Sequence, residues 1–190
     1  MNSNFIQVYT GPMRCGKSQM LLEQYNRCKI AKKDIIMFKP KLDSRTPQLV
    51  ADRNGKQVEA IEVKSIKDIY NYILDYKKLY TYNKLPDCIF IDEFQFFNDS
   101  VEPILKISDF GIKVYIAGLN LSADRKPFGS INNLLCIATN VDILTAVCEH
   151  CYKSDALYTF CNEKRNNGIL IGDEQYIPVC GKCWNILNKK

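Results

Sequence analysis

The chain carries near its beginning the stretch Gly11-Pro12-Met13-Arg14-Cys15-Gly16-Lys17-Ser18, which matches the phosphate-binding pattern G-x-x-x-x-G-K-[ST]. Glycine at the two fixed positions lets the backbone turn tightly and point its N–H groups inward. Lys17 supplies a mobile positive charge for the β and γ phosphates, and the Ser18 hydroxyl can bind Mg²⁺. A strand-like segment precedes this P-loop and a helical pattern follows it. We therefore expect a nucleoside triphosphate site here, in preference to an ordinary glycine turn.

Outward from the P-loop, short apolar runs alternate with amphipathic stretches. The clearest helical pattern places apolar residues at i, i+3, i+4, i+7 and i+8 over 66–74, with Ser65 as its N-cap. Continuous apolar strands that alternate with helices are typical of a parallel sheet covered on both faces. The sequence therefore predicts an α/β fold, a P-loop parallel sheet flanked by helices. The predicted strands are 5–9, 34–38, 88–91 and 114–117.

Composition fits a globular chain that can bury a core, with 190 residues, 46% of them apolar and 25% charged. Lys and Arg exceed Asp and Glu by 26 − 21 = 5, but they are scattered, so we expect no nucleic-acid footprint. We find neither the pattern of a secretory signal nor a run of 18 apolar residues, so we expect a cytoplasmic protein without a membrane span. Nine cysteines in a reducing compartment indicate metal binding rather than disulfides.

An acidic pair, Asp92-Glu93, follows the apolar run Ile89-Phe90-Ile91. An acid at the carboxyl end of a buried strand beside a P-loop is the expected Mg²⁺-organising residue, and Asp92 fits that role together with Ser18. Glu93 points elsewhere and can face a substrate hydroxyl as a general base. The alternative is that both are ordinary exposed acids at a strand end.

Two C-x-x-C pairs, Cys148/Cys151 and Cys180/Cys183, are separated by 28 residues. Two such turns brought together complete a tetrahedral four-sulfur site, which zinc prefers, and a closed site of this kind is structural. Redox pairs are the alternative. The change of character near Val147 predicts a nucleotide-binding α/β domain over 1–147 and a small zinc-binding lobe over 148–190. The remaining cysteines, which are expected to be small buried residues, are Cys15, Cys28, Cys88, Cys136 and Cys161.

Further segments add to this constellation, namely Asp43-Ser44-Arg45, 92–97, Lys126-Pro127-Phe128-Gly129, 144–148, Tyr158-Thr159, Ile171-Gly172 and Tyr176. In order and near-constant spacing the whole set resembles the type II thymidine kinase family, over almost the entire chain. The resemblance implies transfer of the γ-phosphate of ATP to the 5′-hydroxyl of thymidine, and deoxyuridine is a further candidate substrate. It also implies that the loop between the cysteine pairs closes over the nucleoside as a lasso.

The resemblance assigns roles to individual residues of this chain. Glu93 is the implied catalytic base, and Met13 lies against the pyrimidine. The implied ATP-binding residues are Gly11, Pro12, Met13, Arg14, Cys15, Gly16, Lys17, Ser18, Asp92 and Gln95. The implied nucleoside-binding residues are Met13, Phe96, Leu119, Phe128, Thr159, Ile169, Leu170, Ile171, Gly172 and Tyr176. Core packing is the alternative role for Phe96, Leu119 and Phe128, and packing within the C-terminal lobe is the alternative for Tyr176.

The implied cofactors are structural zinc and Mg²⁺ with ATP. The resemblance also implies feedback inhibition by thymidine triphosphate and a homotetramer. Two other functions compete with it. One is a P-loop ATPase whose zinc ribbon binds nucleic acid, and the other is a zinc-stapled interaction module with a vestigial P-loop. Neither accounts for Glu93, the long gap between the cysteine pairs and the aromatic pocket residues together.

Overall fold

The computed structural model describes residues 4–45, 47–79, 84–163, 172 and 174–189. Its central feature is a six-stranded sheet in the order β5-β2-β6-β7-β1-β8, in which all neighbouring strands run parallel. The elements are β1 Ile6–Gly11, α1 Lys17–Ile30, β2 Ile35–Pro40, β3 Leu49–Ala51, β4 Gln57–Glu59, β5 Ile61–Val63, α2 Ile66–Leu79, β6 Cys88–Ile91, α3 Glu102–Asp109, β7 Lys113–Leu119, α4 Ile131–Ile137, β8 Asn140–Ile143, β9 Ala146–Val147, β10 Asp155–Ala156, β11 Tyr158–Cys161, β12 Tyr176–Val179 and α5 Gly181–Leu187.

Each face of the sheet packs against its own set of helices, because successive side chains of a strand point to opposite faces. In β6, Ile89 joins a core cluster with residues of α2, α3 and α4, whereas Phe90 joins a second cluster with residues of α1. Both side chains are fully buried. The continuous apolar runs in the sequence are therefore strands covered on both sides, as a parallel sheet requires.

Helix α2 begins as its sequence predicts. The Ser65 hydroxyl accepts a hydrogen bond from the Asp68 backbone N–H at 3.1 Å, and the Asp68 carboxylate accepts one from the Ser65 N–H at 3.0 Å. This reciprocal capping box satisfies two N–H groups that the first turn leaves without partners. The Asp99 carboxylate accepts a further bond from the Ile66 N–H at 2.8 Å.

The predicted α/β class and the four predicted strands are confirmed, with β1, β2 and β7 extending past their predicted carboxyl ends. The sequence analysis did not locate β5, β8 or the antiparallel β3–β4 hairpin. These strands are short, and the β8 side chains are exposed, so no apolar run marks them.

After β8 the chain forms two further antiparallel pairs, β9 with β10 and β11 with β12, and ends in α5. A third small core cluster lies among these elements and includes Cys148, Ala156 and Val179. None of the described helices is long and apolar enough to cross a membrane.

Candidate active site and metal centre

A cavity of about 940 Å³ lies at the carboxyl ends of β1, β6 and β7. Parallel sheets place ligand sites at this edge. The cavity is lined by Met13, Arg14, Gly16, Lys17, Ser18, Gln19, Asp43, Arg45, Leu49, Val50, Ala51, Asp52, Arg53, Asp92, Glu93, Gln95, Phe96, Leu119, Leu121, Ser122, Ala123, Asp124, Phe128, Thr159, Gly172 and Tyr176.

The P-loop connects β1 to α1 through three residues with positive φ, namely Gly11 at 142°, Arg14 at 63° and Gly16 at 88°. A Cβ at Gly11 would overlap the Leu144 carbonyl oxygen, so only glycine fits between the P-loop and the segment after β8. The loop thereby turns tightly enough for α1 to begin at Lys17, with its positive dipole end facing the cavity.

Lys17 and Ser18 are held at the start of α1 by short contacts. The Lys17 ammonium donates to the Pro12 carbonyl oxygen at 2.6 Å, and the Ser18 hydroxyl donates to the Asp92 carboxylate at 3.2 Å. Burial and the neighbouring Glu93 charge raise the pKa of Asp92 to about 7. A divalent cation beside this carboxylate would favour its charged form, and a hydroxyl with a carboxylate is the donor set that Mg²⁺ prefers. The residues present therefore fit Mg²⁺.

Glu93 lies at the centre of a hydrogen-bonded network. Its carboxylate pairs with the Arg45 guanidinium at 2.5 Å and accepts a hydrogen bond from the Gln95 amide nitrogen. The Gln95 amide oxygen in turn accepts from the Leu119 backbone N–H at 2.9 Å. Glu93 is thus fixed from two directions while it still lines the cavity, which is the placement that a general base needs.

Behind this network lies a buried ion pair that the sequence analysis did not anticipate. Lys39 is 1% exposed, and its ammonium contacts the Asp43 carboxylate at 3.0 Å and the Leu49 carbonyl oxygen at 3.1 Å. Asp43 also accepts a hydrogen bond from Arg45 at 2.6 Å. Burial opposes ionisation of Asp43, but Arg45 and Lys39 outweigh it and lower its pKa. A lysine inside the apolar strand β2 is the sequence signal that could have revealed the pair.

The opposite end of the cavity is aromatic and apolar. Phe96 and Phe128 meet edge to face with ring centroids 6.0 Å apart. The Thr159 hydroxyl accepts a hydrogen bond from the Met13 backbone N–H at 3.0 Å, which joins β11 to the P-loop. The apolar nucleoside candidates Phe96, Leu119, Phe128 and Tyr176 are half-buried and line the cavity, and their role in nucleoside binding stays a prediction.

The predicted site residues are mostly brought together. Of the ATP and nucleoside sets, Gly11, Pro12 and Cys15 do not line the cavity, although they belong to the P-loop that does. Ile169, Leu170 and Ile171 lie outside the described residues. The sequence analysis assigned no contact to Gln19, to 49–53 or to 121–124, which also line the cavity. These segments carry no motif.

The four predicted metal ligands form one cluster. The Sγ atoms of Cys148, Cys151, Cys180 and Cys183 all lie within 4.8 Å of one another. A tetrahedral zinc with bonds of 2.3 Å places its sulfurs about 3.8 Å apart, so the cluster fits zinc. Burial opposes deprotonation of Cys148, but backbone hydrogen bonds from Cys180, Cys151 and His150 lower its pKa to about 6. Burial and the neighbouring thiols instead raise the pKa of Cys183 to about 12, so the fit to zinc rests on the sulfur positions.

The other cysteines lie outside this cluster. Cys28, Cys88 and Cys161 are buried as expected, and Cys15 is partly buried. Cys136 is exposed on α4, so the expectation that it is buried is wrong. Its neighbour Leu135 packs on the core, and the helix turns Cys136 away from that contact.

Comparison with known proteins points to one family. The thymidine kinase family model matches residues 4–184. A thymidine kinase of Mycoplasma genitalium is 36% identical over 188 residues, which cover 97% of this chain and 84% of that protein. A thymidine kinase of Deinococcus deserti is 37% identical over 149 residues, covering 77% of this chain and 74% of that one.

Among solved structures, the genome packaging NTPase B204 of Sulfolobus turreted icosahedral virus 2, in complex with ATP-gammaS, is 15% identical, with a TM-score of 0.46 and coverage of 75% of each chain. A DNA replication initiation factor is 13% identical, with a TM-score of 0.41, over 76% of this chain and 41% of that one. Likenesses this distant do not bear on function. The family match instead spans nearly the whole sequence, and we conclude that this chain belongs to the thymidine kinase family.

Proposed function

We propose that this protein transfers the γ-phosphate of ATP to the 5′-hydroxyl of thymidine, giving thymidine monophosphate and ADP. One observation carries the proposal. The Ser18–Asp92 contact and the Glu93 carboxylate lie in a single cavity whose other end is lined by Phe96 and Phe128. A phosphate cradle, an acid for the metal and a base beside an aromatic pocket are the parts that phosphoryl transfer to a nucleoside needs.

In the proposed reaction the Glu93 carboxylate accepts the proton of the 5′-hydroxyl as the 5′-oxygen attacks the γ-phosphorus. The bond from that phosphorus to the bridging oxygen of ADP breaks, and ADP leaves. Lys17 and the P-loop N–H groups stabilise charge on the phosphates. Ser18 and Asp92 would hold Mg²⁺, which neutralises phosphate charge when bound. Gln95 keeps Glu93 oriented through their hydrogen bond.

The nucleoside end is proposed to hold thymidine between apolar surfaces. Phe96, Leu119, Phe128 and Tyr176 would enclose it, and Met13 would lie against the pyrimidine. Thr159 and the backbone of 169–172 would bind the base by hydrogen bonds, and deoxyuridine is a second candidate substrate. In this proposal, 1–147 form the nucleotide-binding domain and 148–190 form the lobe that covers the nucleoside, stapled by structural zinc.

The direct test is a kinase assay with labelled thymidine and ATP, with and without single-stranded DNA. We expect ATP consumption that depends on thymidine and matches thymidine monophosphate formed. ATP hydrolysis that requires DNA and ignores thymidine would support the competing ATPase function instead. Deoxyuridine in place of thymidine tests base selectivity.

We further propose a cytoplasmic homotetramer that is inhibited by thymidine triphosphate. Its base would occupy the nucleoside end while its phosphates reach the P-loop, since both ends belong to one cavity. Inhibition should therefore be relieved by excess thymidine in steady-state kinetics. Inhibition that thymidine does not relieve would exclude this binding mode. Sedimentation equilibrium tests the tetramer.

A further inference from the structure

The segment 121–128, which follows β7 and which we call the pocket loop, has two different sides. Leu121, Ser122, Ala123, Asp124 and Phe128 line the cavity. Arg125 does not line it, and its guanidinium instead lies between two aromatic rings, 4.0 Å from the centroid of Tyr158 and 4.8 Å from that of Trp184. One side of the loop thus faces the cavity and the other side is fastened to β11 and α5.

Hydrogen bonds reinforce this attachment. The Trp184 indole N–H donates to the Ala123 carbonyl oxygen at 3.1 Å, and Arg125 donates to the Asn185 side chain at 3.4 Å. A guanidinium over the face of an aromatic ring is attracted by the ring electrons. The two aromatic rings and the two hydrogen bonds therefore fix the position of the loop tip.

The backbone of the loop tip is in an uncommon conformation. Arg125 has φ of 60°, in the left-handed region that a residue with a side chain adopts only at a cost. Its N–H bonds to the Ser122 carbonyl oxygen at 2.9 Å, closing a tight turn. Such conformations persist where the surroundings fix them, and they concentrate at functional sites.

One of the residues that hold the pocket loop is next to the four-cysteine cluster in the sequence. Trp184 follows Cys183, and α5 begins directly after Cys180. Tyr158 precedes Thr159, whose hydroxyl binds the P-loop backbone. The cysteine cluster therefore helps to position the Trp184 ring, and β11 positions the Tyr158 ring.

We infer that Arg125 is a positioning residue for the nucleoside pocket: clamped between Tyr158 and Trp184, it holds the pocket loop against thymidine without touching thymidine. The inference rests on the proposed function, and it links the metal cluster to nucleoside affinity. Loss of the clamp lets the pocket loop move, so thymidine binding weakens. We expect ATP binding at the P-loop to be unaffected, because Arg125 contacts Tyr158, Trp184 and Asn185, which lie outside the P-loop.

The test compares Arg125→Ala and Arg125→Lys with Lys126→Ala, a matched exposed neighbour outside the clamp. Thymidine affinity is measured by calorimetry, ATP affinity by the same method, and zinc per chain by elemental analysis. Trp184 is the only tryptophan, so its fluorescence reports the clamp as thymidine is added. Wild-type turnover of thymidine is measured first, and its absence would overturn the proposed function rather than this inference.

We expect Arg125→Ala to weaken thymidine binding roughly fivefold to tenfold, in line with the strength of two cation–π contacts, with ATP affinity within a factor of two. Arg125→Lys keeps the charge but not the planar stack, so its thymidine affinity should lie between those of the wild type and Arg125→Ala. Zinc content and Lys126→Ala should match wild type, and the Trp184 response to thymidine should shrink in Arg125→Ala. Unchanged thymidine affinity, or equal loss of thymidine and ATP binding together with zinc, would overturn the inference.

Discussion

At the scale of single residues, Glu93 has an uncommon backbone conformation, as Arg14 does elsewhere in the cavity lining. Its φ of 52° and ψ of 39° place it in the left-handed region, two residues after the end of β6. The turn lets Asp92 face Ser18 while Glu93 faces Arg45 and Gln95. The two successive acids thereby contact different partners. An extended strand would also separate their side chains, but it would point them to opposite faces of the sheet.

Replacing Glu93 with Gln tests the proposed base. Glutamine keeps the shape and can still hydrogen-bond, but it cannot take up the 5′-hydroxyl proton. We expect turnover to fall by about 10²–10⁴-fold while both ligands still bind, because general bases contribute about this factor. Glu102→Gln, an exposed acid on α3, is the control. A Glu93→Gln enzyme with more than about a tenth of wild-type turnover would mean that another group is the base.

The Lys39–Asp43 pair makes a prediction about stability and pH. Because the folded-state pKa of Asp43 lies below its unfolded value, its ionised form stabilises the fold above that unfolded value, about 3.9. This stabilisation is lost as the pH falls through the folded-state pKa. Asp43→Asn leaves Lys39 buried without its carboxylate, and should lower the free energy of unfolding by about 3 kcal/mol at pH 7.

Urea unfolding of wild type and Asp43→Asn from pH 7 to pH 3 measures this difference. The gap between the two proteins should be widest at neutral pH and should narrow under acid. A gap that stays constant over this range would show that the Asp43 charge does not stabilise the fold.

At the scale of elements, glycine decides how closely the cavity wall can approach the turn after β6. Gly129 has φ of 58°, and a Cβ there would overlap the carbonyl oxygens of Gln95 and Phe97. Gly118, in β7, lies in a similarly crowded place, where a Cβ would stand 3.1 Å from the Phe94 Cβ and 3.2 Å from the Gln95 amide oxygen. Gln95 can therefore occupy its position because Gly118 and Gly129, its neighbours in space, have no side chains.

Gly129→Ala should destabilise the protein by about 3 kcal/mol or more, since it combines left-handed strain with overlap against backbone. Gly55→Ala is the matched control. Gly55 has φ of 84° but open space around it, so only the strain of about 1–2 kcal/mol applies. Thermal unfolding of both variants measures the difference, and equal losses would mean that crowding at Gly129 is unimportant.

At the scale of the whole molecule, the C-terminal elements contribute to the cavity as well as to the four-cysteine cluster. Thr159, Gly172 and Tyr176 line the cavity, and the Arg14–Glu149 ion pair joins the P-loop to the turn between the first two cysteines. Loss of a metal from the cysteine cluster should therefore disturb the cavity lining as well as the cluster.

Cys180→Ser is expected to lose the metal and to weaken thymidine binding. A structural zinc contributes folding free energy directly, and a serine hydroxyl is a poor substitute for a thiolate ligand. Elemental analysis should find one zinc per chain in the wild type and almost none in Cys180→Ser. Cys136→Ser, outside the cluster, should keep its zinc. A Cys180→Ser protein with a full complement of zinc would contradict the proposed ligand set.

Much of this structure could be predicted from local patterns in the sequence. The P-loop, the strand before Asp92, the Ser65 cap and the cysteine pairs are each written in a few neighbouring residues. The clamp on Arg125 and the Lys39–Asp43–Arg45–Glu93 network are not, since they depend on which elements pack together. Tertiary contacts of this kind leave no periodic signal, and the lysine within the apolar strand β2 is the one local sign of the network.

The strand order also dictates when the site comes into being during synthesis. The last strand of the parallel sheet, β8, ends at Ile143, whereas the cavity gains Tyr176 only 33 residues later (176 − 143). At roughly 5–20 residues per second, a ribosome needs about 2–7 s to add that length. Every strand of the sheet and the phosphate loop are therefore synthesised before Tyr176, which completes the lining of the nucleoside end. A nucleoside pocket with Tyr176 in place can therefore form only after all six strands of the sheet have been synthesised.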